Sequence, residues 1–177
     1  TQELIGTFTV LEVSDNGDDE HTLTLDKPAS GISENDVVEN LSAMPEITMR
    51  RCRTGNLRGG MRLQSRLKTL IEDCYFNTNS EALHFTGDTT YWFESGPVND
   101  FIVRNCRFAA ASSQRISIVP QVVFTDKAPY YHKNITITDN IFESSYILYG
   151  HNVDGITFKN NKYEPSEQYK SEETSMY

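Results

Sequence analysis

Two carboxylates, Asp88 and Glu94, bracket the single tryptophan of the chain, Trp92, in the stretch GDTTYWFESG from Gly87 to Gly96. An indole ring is a flat apolar plate on which the CH face of a sugar can stack, while carboxylates accept from its hydroxyls. A carboxyl beside such a plate is also the arrangement that raises a carboxyl pKa toward acid chemistry. The bland alternative is a corner loop whose Tyr91, Trp92 and Phe93 pack over their own fold, as aromatics more often do. Arg58 is a second candidate. It sits in the bend GNLRGG (Gly55–Gly60), where glycines let backbone approach a ligand and a guanidinium can clamp hydroxyl-rich or anionic sugars. His132, in YYHKN at the end of a long insertion, could line the same groove or be an ordinary loop histidine.

What would hold such groups is a repeat. ITMRRCRT (47–54), TLIEDCYF (69–76), FIVRNCRF (101–108), ITITDNIF (135–142) and ITFKNNKY (156–163) are versions of one phrase. Apolar or β-branched residues usually fill its first and third places, Cys or Asn its sixth, and usually an aromatic its eighth. The sixth places are Cys52, Cys74, Cys106, Asn140 and Asn161, at steps of 22, 32, 34 and 21 residues. A shortest step near this value, lengthened by insertions, is the period of a coil-by-coil solenoid. The first four phrases are each followed by a second short strand: GGMRLQS, EALHFTG, QRISIVP and SYILYGH. Short alternating strands with almost no helical signal predict an all-β fold, a right-handed parallel β-helix of about five coils. The sixth places should then form an internal ladder, and all three cysteines should be free thiols packed as small hydrophobes.

The first forty residues stand outside the repeat. LIGTFTVLEV and TLTLDKP, joined through SDNGDDEH, predict a hairpin turning at Asn16-Gly17. The expected division is a small antiparallel β-module and linker over 1–38, the β-helix over 39–163, and a polar tail over 164–177. The largest insertions lie between Cys74 and Cys106 and between Cys106 and Asn140, and would wall the groove. Arg50, Arg51, Arg53, Arg58, Arg62, Arg66 and Lys68 form a cationic strip, expected either to clamp a sugar or to pair with Glu72 and Asp73 across coils.

The net charge of −9 argues against a nucleic-acid partner, and no apolar run is long enough for a membrane span. No histidine or cysteine spacing suggests a metal, and no phosphate cradle or nucleophile elbow is present, so no metal or cofactor is expected. The chain opens on Thr1 rather than Met, which reads as a processed protein or a piece of a longer parent chain.

The runs DVVENLSAMPEITMRRCRTGNLRGGMRLQ, IEDCYF, GDTTYWFESGPVNDFIVRNCRF, ISIVP, YYHKNITITDNIF and DGITFKNN resemble the C-terminal half of glycoside hydrolase family 110, over about residues 36–163. The Gly-Asp followed by Trp-x-Glu-Ser-Gly is the most specific part. The family consists of bacterial exo-α-galactosidases, known especially from gut Bacteroides, that remove terminal α-1,3-linked galactose. They are metal-independent and inverting, with small barrel domains inserted in a β-helix. The resemblance therefore implies a galactosyl-glycan substrate and a periplasmic, cell-surface or secreted location in a Gram-negative bacterium. It assigns Asp88 and Glu94 to catalysis and Trp92 to substrate binding, where Arg58, Gln121 and His132 are further candidates. Two positions depart from the pattern. Gln121, after SIVP, stands where the family tends to have Glu, and an amide cannot trade a proton. Arg58 stands in NLRGG where the family phrase is nearer Arg-Ala-Arg-Gly. With the N-terminal half of such an enzyme absent, the isolated chain is expected to turn over weakly or undetectably. The reading from another class is a non-catalytic β-helix module that binds glycans or completes a surface protein. A polysaccharide lyase ranks last, since the coils lack clustered calcium-binding acids.

Overall fold

The computed structural model describes residues 5–34, 36–57, 60–87, 96–120 and 130–166. These fall into two compact units that part between Val38 and Glu39, and each is taken by itself. Among the described residues all regular structure is β-strand, except one 3-10 turn, Leu41–Ala43, capped by Asn40. No helix among them is long and apolar enough to cross a membrane.

In the first unit β1 (Val10–Gly17) and β2 (Glu20–Leu25) pair antiparallel. The turn is not at Asn16-Gly17. Its central residues are Asp18 and Asp19, both left-handed at φ 54° and 61°, and Gly17 pairs with Glu20. Two left-handed residues match the twist of a tight hairpin, and Asp reaches that region more easily than most because its short side chain bonds locally. Asn16 is drawn into the strand, where its Nδ2 donates to Thr22 Oγ1 at 2.8 Å.

In the second unit each phrase supplies two strands. They are β3 (Ile47–Arg50) and β4 (Arg53–Leu57), β5 (Thr69–Glu72) and β6 (Tyr75–Thr78), β8 (Asn99–Arg104) and β9 (Arg107–Phe108), β11 (His132–Thr138) and β12 (Ile141–Phe142), and β14 (Val153–Lys159) and β15 (Lys162–Tyr163). The second short strands are β7 (Leu83–Phe85), β10 (Ile116–Ile118) and β13 (Leu148–Gly150), with Met61 forming an isolated bridge to Leu83. Three parallel sheets result, ordered β14-β11-β8-β5-β3, β15-β12-β9-β6-β4 and β13-β10-β7. The first places of the five phrases, Ile47, Thr69, Phe101, Ile135 and Ile156, are successive partners. Each strand thus lies beside its counterpart one repeat away. This is an all-β fold of parallel sheets, compatible with a parallel β-helix.

Register dictates the core. Phe76, Phe108 and Phe142, the eighth places, are buried and stack at centroid distances of 4.9 and 4.8 Å with rings 10° and 8° from parallel. Those distances match the inter-strand spacing of about 4.8 Å, so the ring ladder follows from the backbone pairing. Ile71, Val103, Ile135 and Ile137 fill the first sheet's inner face, and Leu83, Phe85, Ile116 and Ile118 the third's.

The corner between first and second sheets has one conformation, repeated. The fifth places Arg51, Asp73, Asn105, Asp139 and Asn160 are all left-handed, with φ between 53° and 58°. The sixth side chains then point back one repeat. Cys74 Sγ donates to Met49 O at 3.7 Å and Cys106 Sγ to Ile71 O at 3.9 Å, both long. Asn140 Nδ2 donates to Val103 O at 3.1 Å and Asn161 Nδ2 to Ile137 O at 2.8 Å. The ladder of sixth places is therefore present, and the three cysteines are free. One part of the expectation fails. Cys52 is exposed, not internal, because β3 and β4 are edge strands with no described strand stacked beyond them.

Candidate functional site at the corner between the third and first sheets

β7 and β10 run in register, Leu83 beside Ile116 and Phe85 beside Ile118. From their ends the chain leaves on two long connections, 86–98 to β8 and 119–131 to β11. Both join the third sheet to the first, one repeat apart, whereas only His151 and Asn152 make that passage after β13. Asp88 follows Phe85 by three residues and Gln121 follows Ile118 by three. In the sequence the acid and the amide are thus equally spaced from the ends of two paired strands. Asp88, Trp92, Glu94 and Gln121 lie outside the described residues, and so does Arg58. Arg58 falls in a different passage, between β4 and the Met61 bridge.

The described residues at both roots of 88–95 are held closely. Gly87 is left-handed at φ 62°, and a Cβ there would collide with the Tyr131 ring, so no other residue fits without displacing it. At the other root Glu39 holds two groups at once. Its Oε1 accepts from Gly96 N–H at 2.9 Å and its Oε2 from Arg66 Nε at 2.6 Å. The Arg66 guanidinium lies where a Cβ on Gly96 would be. Two residues on, Val98 N–H donates to His132 Nδ1 at 3.1 Å, and Val98 O accepts from Lys133 N–H at 3.0 Å.

His132 is therefore not a loop histidine facing the groove. It opens β11 and is fully buried. An imidazole that accepts at Nδ1 is neutral and carries its proton on Nε2. That Nε2 is itself buried, with no hydrogen-bond partner among the described residues. Phe85 and Tyr131 meet the ring edge-on, at centroid distances of 6.5 and 4.9 Å. Burial pushes the imidazole down to about 4, the Thr86 backbone works the other way, and His151 adds a smaller depression.

The cationic strip resolves largely into pairs. Arg50, Glu72 and Arg104 are register partners on the first sheet, with Arg50 Nε 2.5 Å and Arg104 Nη2 2.7 Å from Glu72 oxygens. The hydrogen bond from Arg104, with help from the Arg50 charge and against some desolvation, holds the Glu72 carboxyl below the usual range. Arg53 lies 4.4 Å from the centroid of Tyr75, its partner on β6. Asp73 forms the corner instead.

Two residues that hold this region, and one at the preceding corner between β6 and β7, drew no attention in the sequence. Glu39 is one of several acids upstream of the repeat, and nothing local ties it to Gly96, 57 residues away. Tyr131 reads as one of two adjacent tyrosines. Arg115 is fully buried, its guanidinium donating to Ser80 O at 2.7 Å and to Thr78 Oγ1, and burial lowers it to about 10. The only hint was its place directly before the inward Ile116. Among the described residues no three His, Cys, Asp or Glu side chains converge as a metal site would require.

No protein-family model matches the chain. It is 33% identical over 150 residues to α-1,3-galactosidase B of Bacteroides thetaiotaomicron, covering 78% of this chain and 24% of that protein. It is 31% identical over 147 residues to α-1,3-galactosidase A of Bacteroides fragilis, covering 77% and 24%. This chain is a relative of the bacterial α-1,3-galactosidases. The resemblance to glycoside hydrolase family 110 holds on these matches. α-1,3-Galactosidase B of Akkermansia muciniphila is 29% identical and aligns with 96% of the chain. The chain spans about a quarter of the length of these curated galactosidases.

Proposed function

We propose that this chain is the C-terminal β-helical part of an inverting exo-α-galactosidase that removes terminal α-1,3-linked galactose from glycans. The observation that carries the reading is the similarity to proteins named α-1,3-galactosidase, at 33% identity over 150 residues. In this reading the parallel sheets are about five coils of a right-handed β-helix, and the β1–β2 hairpin is what the chain holds of an inserted barrel. The substrate lies at the corner where 86–98 and 119–131 leave the third sheet. In this reading the enzyme works in the periplasm, on the cell surface or secreted, in a Gram-negative bacterium.

Inversion needs two carboxyls about 6.5–9.5 Å apart, with a water between one of them and the anomeric carbon. Groups on equivalent steps one or two repeats apart are separated by one or two strand spacings of about 4.8 Å, which brackets that distance. Asp88 addresses the water or a hydroxyl, Trp92 stacks on the galactose face, and Glu94 fixes the segment or a second hydroxyl. Arg58 binds hydroxyls. Gln121, one repeat from Asp88, can bind a hydroxyl but cannot serve as an acid, so the second carboxyl comes from Glu94 or from a longer chain.

In a longer chain carrying these residues, the anomer first released from an aryl α-galactoside should be β-galactose by proton NMR. Asp88→Asn should lower kcat by at least about a hundredfold with the melting temperature unchanged. Trp92→Ala should act mainly on KM. First release of α-galactose, or full activity in Asp88→Asn, would reject the assignment. Gln121 favours a second reading, a non-catalytic glycan-binding or structural module of a surface protein. It predicts that the longer chain binds galactosyl oligosaccharides by calorimetry and releases no galactose.

A further inference from the structure

The roots of the 88–95 segment are fixed by different chemistry. Gly87 is fixed sterically, by the Tyr131 ring. Gly96 is fixed by a charge pair, Glu39 with Arg66. Val98, where the chain turns into β8, is fixed by a side chain from the next repeat, since its N–H goes to His132 Nδ1 rather than to a backbone carbonyl. The parallel ladder explains why a side chain is needed. Val98 O already receives Lys133 N–H, and regular pairing of β8 with β11 starts only at Asn99 with Lys133. Val98 is completely buried, so water cannot serve its N–H.

We infer that His132 is a positioning residue for the proposed galactose site, accepting the Val98 N–H so that the chain bearing Asp88, Trp92 and Glu94 re-enters the fold at one fixed point. Only a neutral imidazole can do this, because the charged ring donates from both nitrogens. The setting enforces neutrality: the ring is wholly enclosed, between the edges of Phe85 and Tyr131, and the titratable group facing it from the neighbouring passage is another histidine, His151. Among the described residues no carboxylate acts on the ring to favour its charged form. His132 therefore acts through Val98 and presents nothing to the sugar, which differs from the substrate contact that its sequence position suggested. The inference rests on the proposed function for the word site, but its test does not.

The test is made on the 177-residue chain without sugar. Long-range proton–nitrogen spectra of the imidazoles at pH 6 should show His132 with a bare, accepting Nδ1 and a protonated Nε2. A proton on Nδ1, or on both nitrogens, would overturn the inference. Amide exchange supplies the second arm. His132→Phe keeps an aromatic ring but no acceptor, and should speed exchange at Val98 at least tenfold while Ile135 and Ile137 stay protected. His132→Asn, whose Oδ1 can reach the Nδ1 position, should restore protection. Unchanged protection of Val98 in His132→Phe would overturn the inference, as would failure of Asn to restore it with Ile135 and Ile137 still protected. If His132→Phe does not fold, the imidazole spectrum decides alone. An inactive longer chain would remove the functional reading and leave this result standing.

Discussion

Asn140 offers a sharp check on the ladder, because neighbouring repeats supply the control. Its side chain is fully buried and serves three partners. Oδ1 accepts Cys106 N–H at 2.9 Å, and Nδ2 donates to Val103 O at 3.1 Å and to Asn161 Oδ1 at 3.0 Å. Asn161 Oδ1 keeps a second donor, Asn140 N–H at 3.0 Å, whatever the side chain. Asn140→Ala therefore orphans one backbone group, the Cys106 N–H, while Val103 O, inside the ladder of β8 between β5 and β11, loses only a second donor. At about 1–3 kcal/mol for a buried unsatisfied group, the loss is about 1–3 kcal/mol. Asn140→Cys should be milder. A thiol at this place can do what Cys106 does, whose sulfur takes the Cys74 backbone N–H and approaches Ile71 O at 3.9 Å, so no backbone group is orphaned and the loss is about 1 kcal/mol. Against a total stability of about 5–15 kcal/mol for a domain, the two variants should be separable by urea unfolding, with Ala the less stable. Amide exchange at Cys106 should accelerate in Asn140→Ala and much less in Asn140→Cys. Equal stability of the two variants, or protection of Cys106 in Asn140→Ala, would refute the idea that the sixth-place side chain carries this backbone group.

Three further outcomes follow from the same geometry. Alkylation followed by intact mass should give one adduct in the native chain, at exposed Cys52, and three after denaturation. Burial raises the Cys74 thiol and pushes Cys106 up to about 12, so neither offers thiolate at pH 8; native labelling of Cys106 would contradict its burial. Burial lowers the His132 imidazole to about 4, so between the ordinary value near 6.5 and that value the unfolded chain takes up a proton that the folded chain refuses. Stability should therefore fall as pH drops through that interval, by about 3 kcal/mol when complete. His132→Phe should flatten this slope. An unchanged slope in that variant would assign the acid sensitivity to other groups. Glu72, lowered by Arg104 and Arg50, contributes stability above the ordinary carboxylate range that is lost as pH falls through its own lower value.

The register of the sheets was legible because eight-residue phrases could be laid over one another. Once Ile47, Thr69, Phe101, Ile135 and Ile156 are set in one column, the phenylalanine stack and the Cys–Asn ladder follow from a period of two along each strand. The corner residue was less visible. Asp and Asn at the fifth place mark a left-handed residue, but Arg51 holds the same φ of 53°, imposed by its place in the stack and not by its own preference. The hairpin turn was misjudged for a related reason. Asn-Gly is the stronger local signal, yet pairing of Gly17 with Glu20 moved the turn to Asp18-Asp19. Around the site, what escaped the sequence is what acts over long separations: Glu39 on Gly96, His132 on Val98, Arg115 on Thr78 and Ser80. No periodicity announces such pairs. Their partners become neighbours only after the coils have stacked.

The eighth-place column runs Thr54, Phe76, Phe108, Phe142, Tyr163, and β4 and β15 are the outermost strands of their sheet. The three phenylalanines each have a neighbour above and below and are fully covered, whereas Tyr163 remains 45% exposed although it shares their register. Ile156 and Phe158 are likewise 40% and 45% exposed, while Ile135 and Ile137, one repeat inward, are wholly covered. A residue's latitude for change is thus set by its rung and not by its place in the phrase. Middle rungs accept only flat apolar rings at this place, while outer rungs tolerate a hydroxyl, because each repeat interacts only with its immediate neighbours. Among the described rungs a change at Phe108, with a ring stacked on each side, should cost more than the same change at Tyr163, which has one stacked neighbour in this chain.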